Sequence, residues 1–512
     1  MKRLIYILLL IISNSLFSQI RDLASLSSGT YISFSPLFNK EEQLFGYLAL
    51  YNKGKETQNT NKFEYVYLDK NLNEVANNEF SVENSVISYS SYINTKGEIE
   101  LSPRINQYFT SMKKMNNTII PKDRIIDIKN NKISLKQEIC YENKVFVDCG
   151  SSKTIGEFGK ESKRERKENG FNYESDVTIL NDGTYLLYEY KYDKGNDFDN
   201  AFVKFDENKK EVWRYEFNKD MKKKEKQFIN VLYFDNTFLY LIEYTDIKKD
   251  SKYRFIKLDL KTGERIIDEE IKDYSKASVQ SLRRMVESGY YITNKKEFDD
   301  KLIFVGKIIE EGVDGNSGFF RMIIEKATNK ITYTDMPFLA AKPFLETIKT
   351  NGAVENGYRL NIRDLYILKD GSVGFLFEKF KIGYNLMLGN VAKATDLVYF
   401  STDKNFKIKE VKLFSKDKSV GYNSDYLFSQ YINDGNDVAF FYRDYQKDED
   451  GEKNWNLYIN TIKKGVYSQE KIPISSKENS IVPYVAKEGY ILLREYNKNS
   501  KYNGVRLERL NY

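Results

Sequence analysis

The chain of 512 residues contains no histidine. That absence removes Ser-His-Asp and Cys-His hydrolases, zinc sites with imidazole ligands and histidine acid-base catalysis. Nucleophile-elbow, Walker A and dinucleotide-binding glycine patterns are also missing. What survives is carboxylate, tyrosine or lysine chemistry, or no chemistry. Charge of one sign is not in large excess: 80 Lys and Arg stand against 74 Asp and Glu. So small an imbalance favours solubility and gives no electrostatic case for nucleic acid. Beyond the first dozen residues no run approaches 18 apolar positions, so no later segment is expected to cross a membrane as a helix.

The one long apolar run opens the chain. Lys2 and Arg3 precede nine apolar residues, 4–12, and Ser13, Asn14 and Ser15 follow. This is the order of a secretory signal peptide. Nine helical residues span about 13 Å, under half of the roughly 30 Å hydrocarbon core, so no permanent anchor is expected. Cleavage is placed after Ser18, making residues 1–18 the signal peptide and 19–512 the mature chain; cleavage after Ser15 is the alternative. No cysteine lies nearby for a lipid anchor. The expected location is the periplasm, the outer-membrane periphery or the extracellular space.

The two cysteines, Cys140 and Cys149, bracket a short polar loop. In an oxidising compartment they are expected to form a disulfide, with two free thiols as the alternative. Their spacing is not that of a Cys-x-x-Cys redox pair.

Aromatic residues are abundant, with 40 Tyr and 33 Phe, while proline numbers 7. Such residues suit half-buried pleated strands. A two-part unit repeats along the chain. Its first part is a polar turn before a strongly apolar strand that ends in charged or aromatic residues. Examples are Asp182-Gly183 before TYLLYEY, Asp235-Asn236 before TFLYLIEY, Asp370-Gly371 before SVGFLFEKF and Asp434-Gly435 before NDVAFFYRDY. Its second part is a hairpin of alternating strands about a polar turn, as at Asp69, Asn130, Asp206, Asp259, Lys326, Asp403 and Thr461.

Eight such units of about four strands predict an all-β chain. It resembles the β-propeller superfold, with about eight four-stranded blades in a single domain. The last unit is short of a strand, which the N-terminus is expected to supply from within residues 20–35. Seven blades, or tandem β-sandwich domains, are the alternatives, although no Pro/Ser/Gly-rich linker separates domains. Residues 138–172, including the mixed-charge segment KESKRERKE, are expected to leave the blades as a solvated excursion. The stretch LGNVAKATDLVYF resembles uncharacterised secreted bacterial proteins.

The connections between second and third strands, such as 53–62, 192–200, 246–252, 381–395 and 445–454, are expected to be long loops able to carry binding residues. Loop 381–395 holds Tyr384, Leu386, Met387 and Leu388, a candidate contact surface. Asp193, Asp197 and Asp199, and Asp448 and Asp450, are candidate calcium ligands, but neither loop fits the EF-hand spacing and ordinary acidic turns are preferred. No cofactor is otherwise expected. Three functions follow: a binding or scaffold module presenting a face to a protein or glycan; a carboxylate-dependent glycosidase or lyase acting on extracellular polysaccharide; or a structural component of an outer-membrane-associated assembly. Ser401-x-Asp403-x-Asn405 is similar to the Asp-box turn of sialidases, whose nucleophile is a tyrosine.

Overall fold

The computed structural model describes residues 20–510 except 40–41, 95, 106–111, 143–144, 149–153, 158–159, 161–173, 181, 191–199, 218–225, 248–249, 272–291, 311, 386–388, 421–423, 448–450, 452, 476–478 and 498–502. The expected signal segment therefore lies outside the described residues. None of the described helices is long and apolar enough to cross a membrane.

Eight antiparallel meanders follow one another in chain order, spanning residues 30–83, 86–135, 174–217, 226–270, 292–337, 359–414, 426–473 and 479–509. We call them the first to eighth sheets. The first seven hold four consecutive strands each, in the order 1-2-3-4, and the sixth gains a short fifth strand, Ser419–Val420. The eighth has three strands of its own and is completed by Ile20–Asp22, which pairs antiparallel with Asn503–Arg509. The N-terminal strand thus falls within the window expected from the sequence. A hairpin, Ile139–Glu142 with Val145–Asp148, stands outside the four-stranded sheets. Repeated meanders with the last completed from the other end of the chain are the topology of propeller blades.

The two halves of the sequence repeat have different physical causes. Second strands are covered on both faces, so they read as continuous apolar runs: residues 46–51 of Leu44–Lys55 are all buried. Fourth strands are largely exposed, as in Glu74–Glu83, where only Ala76, Phe80 and Val82 are buried. The turn before the fourth strand recurs with its own clamp. Asp403 Oδ1 accepts the backbone N–H groups of Asn405 and Lys407, both at 2.9 Å, and Asp69 Oδ1 accepts those of Asn71 at 2.8 Å and Asn73 at 2.9 Å. Each turn then places a large residue at positive φ, Phe406 at 65° and Leu72 at 68°. That conformation costs roughly 1–2 kcal/mol for an L-residue. It is offset by burial, since both side chains enter the core.

The chain divides into two compact units. In one (1–137, 150–160 and 427–512), the seventh, eighth, first and second sheets stack in succession. Phe441 and Ile459 meet Ile491 and Leu493, Leu492 and Val505 meet Phe34 and Tyr47, and Phe63 and Phe80 meet Tyr89 and Leu101. In the other (138–149 and 161–426), the hairpin and the third to sixth sheets stack likewise. Tyr141 and Phe146 pack on Phe205, Trp213 on the Leu239–Leu258 cluster, Phe255 with Phe320, and Phe319 with Phe375. Within each unit the sheets pack on their sequence neighbours, as expected of repeats that cannot bury their faces alone.

Two glycines admit a neighbouring tyrosine. A Cβ on Gly46 would lie 2.6 Å from Tyr67 Cε2, and one on Gly374 would lie 2.2 Å from Tyr399 Oη. In the first and sixth sheets the third-strand tyrosine lies over the second-strand glycine.

Candidate functional site

Segment 381–395, expected to be a loop, is mostly ladder. The sixth sheet's middle strands run Val373–Asn385 and Gly389–Thr402, and pairing continues through Lys381↔Lys393, Ile382↔Ala392 and Tyr384↔Asn390. The alternation of Lys381-Ile382-Gly383-Tyr384 against Val391-Ala392-Lys393-Ala394 sustains a period of two, so the backbone keeps its partners. The connections at 53–62, 246–252 and 445–454 are shortened by strand extension in the same way.

This hairpin outruns its sheet. The first strand, Arg359–Ile367, pairs no further than Phe380, and the fourth, Ile408–Phe414, no further than Leu397. Among the described residues, Ser419–Val420 is the strand that pairs along the hairpin's side, opposite Ala394 and Lys393. On the projecting part, Ile382 is 67% exposed and Tyr384 74%. They are two residues apart on one strand and share a face. Of the sequence-derived site residues, Tyr384 is exposed, while Leu386, Met387 and Leu388 lie outside the described residues.

The hairpin's base is built from buried charge. Glu378 is 0% exposed, and its Oε2 accepts Arg363 Nη2 at 2.6 Å, Arg363 Nε at 2.7 Å and Ser424 Oγ at 2.8 Å. Its Oε1 lies 3.4 Å from Lys416 Nζ, which is also fully buried and donates to Asp425 Oδ2 at 2.7 Å. Beside it, Lys379 bridges Glu355 and Asp396, the latter at 3.2 Å. Burial pulls the Lys379 ammonium towards neutrality, but hydrogen bonds to Glu355 and Asp396 outweigh it, and the net shift is upward. Lys381 reaches the carbonyl of Asn356 at 2.8 Å and lies 4.3 Å over the Tyr358 ring. These contacts fix the start of the projecting strand.

Sequence reasoning missed this network. In the sequence Glu378 and Lys379 stand only as the charged end of an apolar strand. A signal existed in the repeat: an acid closes the apolar second strand at Glu189, Glu378 and Glu495. Each meets an arginine from another strand of its own sheet, Arg214 at 2.6 Å, Arg363 at 2.6 Å and Arg506 at 2.7 Å.

The other unit carries an open cleft of about 490 Å³ lined by Ile432, Asn433, Asp437, Lys463, Lys464 and Glu488. Its buried Asp437 accepts the Lys464 N–H at 2.7 Å and Asn433 Nδ2 at 2.9 Å, and Glu488 accepts the Asn433 N–H. These carboxylates hold turns together. In the seventh sheet, Tyr445 and Trp455 rings lie 5.1 Å apart and the Arg443 guanidinium lies 4.7 Å from the Trp455 ring.

The calcium candidates Asp193, Asp197, Asp199, Asp448 and Asp450 lie outside the described residues. Among the described residues no group of three or more acidic or cysteine side chains could hold a metal ion. Cys140 lies in the excursion hairpin opposite Val147, and Cys149 lies outside the described residues.

No family model and no curated protein matches the chain. Among solved structures it is similar to the WD40 domain of SCAP from fission yeast, at 8% identity over 96% of this chain and 97% of that chain, with a TM-score of 0.31. It is similar also to the β-propeller domain of the Trilobed protease from Pyrococcus furiosus, at 11% identity over 86% of this chain and 98% of that chain, with a TM-score of 0.29. A third likeness is to an alpha-L-arabinofuranosidase from Fusarium graminearum, at 11% identity over 66% and 93%, with a TM-score of 0.24. At these scores the likenesses carry no functional weight, and the fold type rests on the sheet topology.

Proposed function

We propose that this protein is an exported, eight-bladed propeller that binds a polypeptide partner through the projecting hairpin 381–395. The observation that carries the reading is the pair Ile382 and Tyr384, 67% and 74% exposed on a strand that outruns its sheet and is tied down by buried ion pairs. Large apolar side chains held out on a rigid support suit the anchor role at protein interfaces, where tyrosine is enriched. Among the described residues no strand lies beside the outer edge of residues 381–385 on the Arg359–Ile367 side, so an extended segment of a partner can add to the ladder there. Export follows from residues 1–18, and the Cys140–Cys149 disulfide belongs to the same reading.

A carboxylate hydrolase needs an ionised acid and a protonated one facing substrate. Glu378 and Asp425 instead share Lys416 away from solvent, which gives that alternative no support.

The test is capture from the native exported fraction by the wild-type chain and by the Ile382→Ser/Tyr384→Ser double variant, with a glycan array in parallel. Binding of a defined polypeptide that falls at least tenfold in the variant supports the reading. Equal capture by both, or glycan binding alone, sinks it.

A further inference from the structure

The Lys416–Asp425 contact has the geometry of a reaction as well as of an ion pair. Lys416 Nζ lies 2.7 Å from Asp425 Oδ2, which brings the nitrogen close to the roughly 3–3.5 Å near-attack range of the Asp425 carboxyl carbon. Neither group can leave easily: the Lys416 side chain is 0% exposed and that of Asp425 6%. The Lys416 backbone N–H is itself bound to Asp396 Oδ1 at 3.4 Å, and the Asp425 N–H to Glu378 Oε1 at 3.4 Å. Burying an ammonium and a carboxylate together is costly. An amide carries no charge.

A proton relay is in place. Glu378 Oε1 lies 3.4 Å from Lys416 Nζ. Its other oxygen is held by Arg363 and Ser424, so the carboxylate is fixed with Oε1 towards the pair. Proton transfer by a positioned carboxylate within about one hydrogen bond of the reacting atom is ordinary general acid-base catalysis.

We propose that Lys416 and Asp425 are joined by an intramolecular isopeptide bond, with Glu378 relaying the protons. The ammonium gives one proton to Glu378. The freed lone pair attacks the Asp425 carboxyl carbon and a C–N bond forms. Glu378 returns its proton, and a second N–H proton follows, to the departing carboxyl oxygen. The C–O bond breaks and water leaves. Ammonium plus carboxylate becomes amide plus water, with no redox change and no co-reactant. The link closes residues 416–425 into a covalent loop that carries Ser419–Val420, the strand beside the projecting hairpin. It does not depend on what the hairpin binds.

Proteolytic digestion of the purified, reduced full-length protein followed by tandem mass spectrometry tests this. The expected product is a branched peptide joining Lys416 to Asp425, one water lighter than its parts, in near-complete yield. Complete cleavage after Lys416 with unmodified masses overturns the proposal. So does loss of water from a linear peptide at Asp425 alone, which reports a succinimide. Neither readout needs a variant. In Glu378→Gln, checked for folding by circular dichroism, the branched peptide should disappear, whereas undiminished branching overturns the relay role.

Discussion

Replacing Gly374 with alanine tests the tyrosine-over-glycine packing of the sixth sheet. The new Cβ would lie 2.2 Å from Tyr399 Oη, 2.8 Å from Cζ and 2.9 Å from Cε2. Tyr399 is 2% exposed and its ring lies 6.3 Å from that of Tyr366, so it has little room to retreat. Overpacking of this kind costs about 1–3 kcal/mol. Restricting the unfolded chain returns roughly 0.5–1 kcal/mol. The net expectation for Gly374→Ala is a loss of about 1–2 kcal/mol. Gly383→Ala, on the same strand, is the control. Its nearest contact is the flexible Lys393 side chain, 3.2 Å away at Cε, and its effect should stay within about 0.5 kcal/mol. A long chain of stacked repeats need not unfold in one step, so the assay is hydrogen exchange read by mass spectrometry over 373–402. Exchange should accelerate about tenfold in Gly374→Ala and little in Gly383→Ala. Equal effects from both substitutions would refute the packing argument.

The turn aspartates make stability depend on acid. Backbone hydrogen bonding from Lys407, opposed by partial burial and helped by Asn405, holds the Asp403 carboxyl below its ordinary value. A depressed carboxylate contributes above its unfolded pKa, and the contribution fades as pH falls through the folded value. Asp403→Asn should therefore lower stability by about 0.5–1 kcal/mol near neutrality, a range discounted for exposure, with the difference from wild type vanishing in acid. A pH-independent difference would contradict this. For the cysteines, a thiol assay on the unfolded, unreduced protein should find no free thiol. Reduction should cost about 2.7 kcal/mol for the ten-residue loop on the chain-entropy model, and two reactive thiols would disprove the pairing.

The repeat was legible because each half of it has a separate physical cause. Double-sided burial makes the second strand an apolar run, and the Asp-clamped turn leaves a polar mark before each exposed fourth strand. The closing strand was legible by elimination, since the eighth unit lacked one. Two features were not. The segment 381–395 was read as a loop because it joins the second and third strands of its unit, whereas cross-strand pairing extends both strands into it. The Glu378 network was invisible because Arg363, Lys416 and Asp425 come from three separate stretches, and a charge in sequence does not report its burial. Tyr384 drew notice because a large aromatic between polar neighbours on a connection is itself informative.

The central structural claim is that the N-terminal strand completes the eighth sheet. Arg21 and Val505 are register partners across that seam. Antiparallel partners have Cα atoms about 4.5–5.5 Å apart, within the range a disulfide spans. The most direct measurement is disulfide formation in the Arg21→Cys/Val505→Cys chain carrying Cys140→Ser and Cys149→Ser, read by mass and non-reducing mobility. The account predicts near-complete linkage of the chain's two ends without loss of folding. Free thiols at both positions in a folded chain would contradict it.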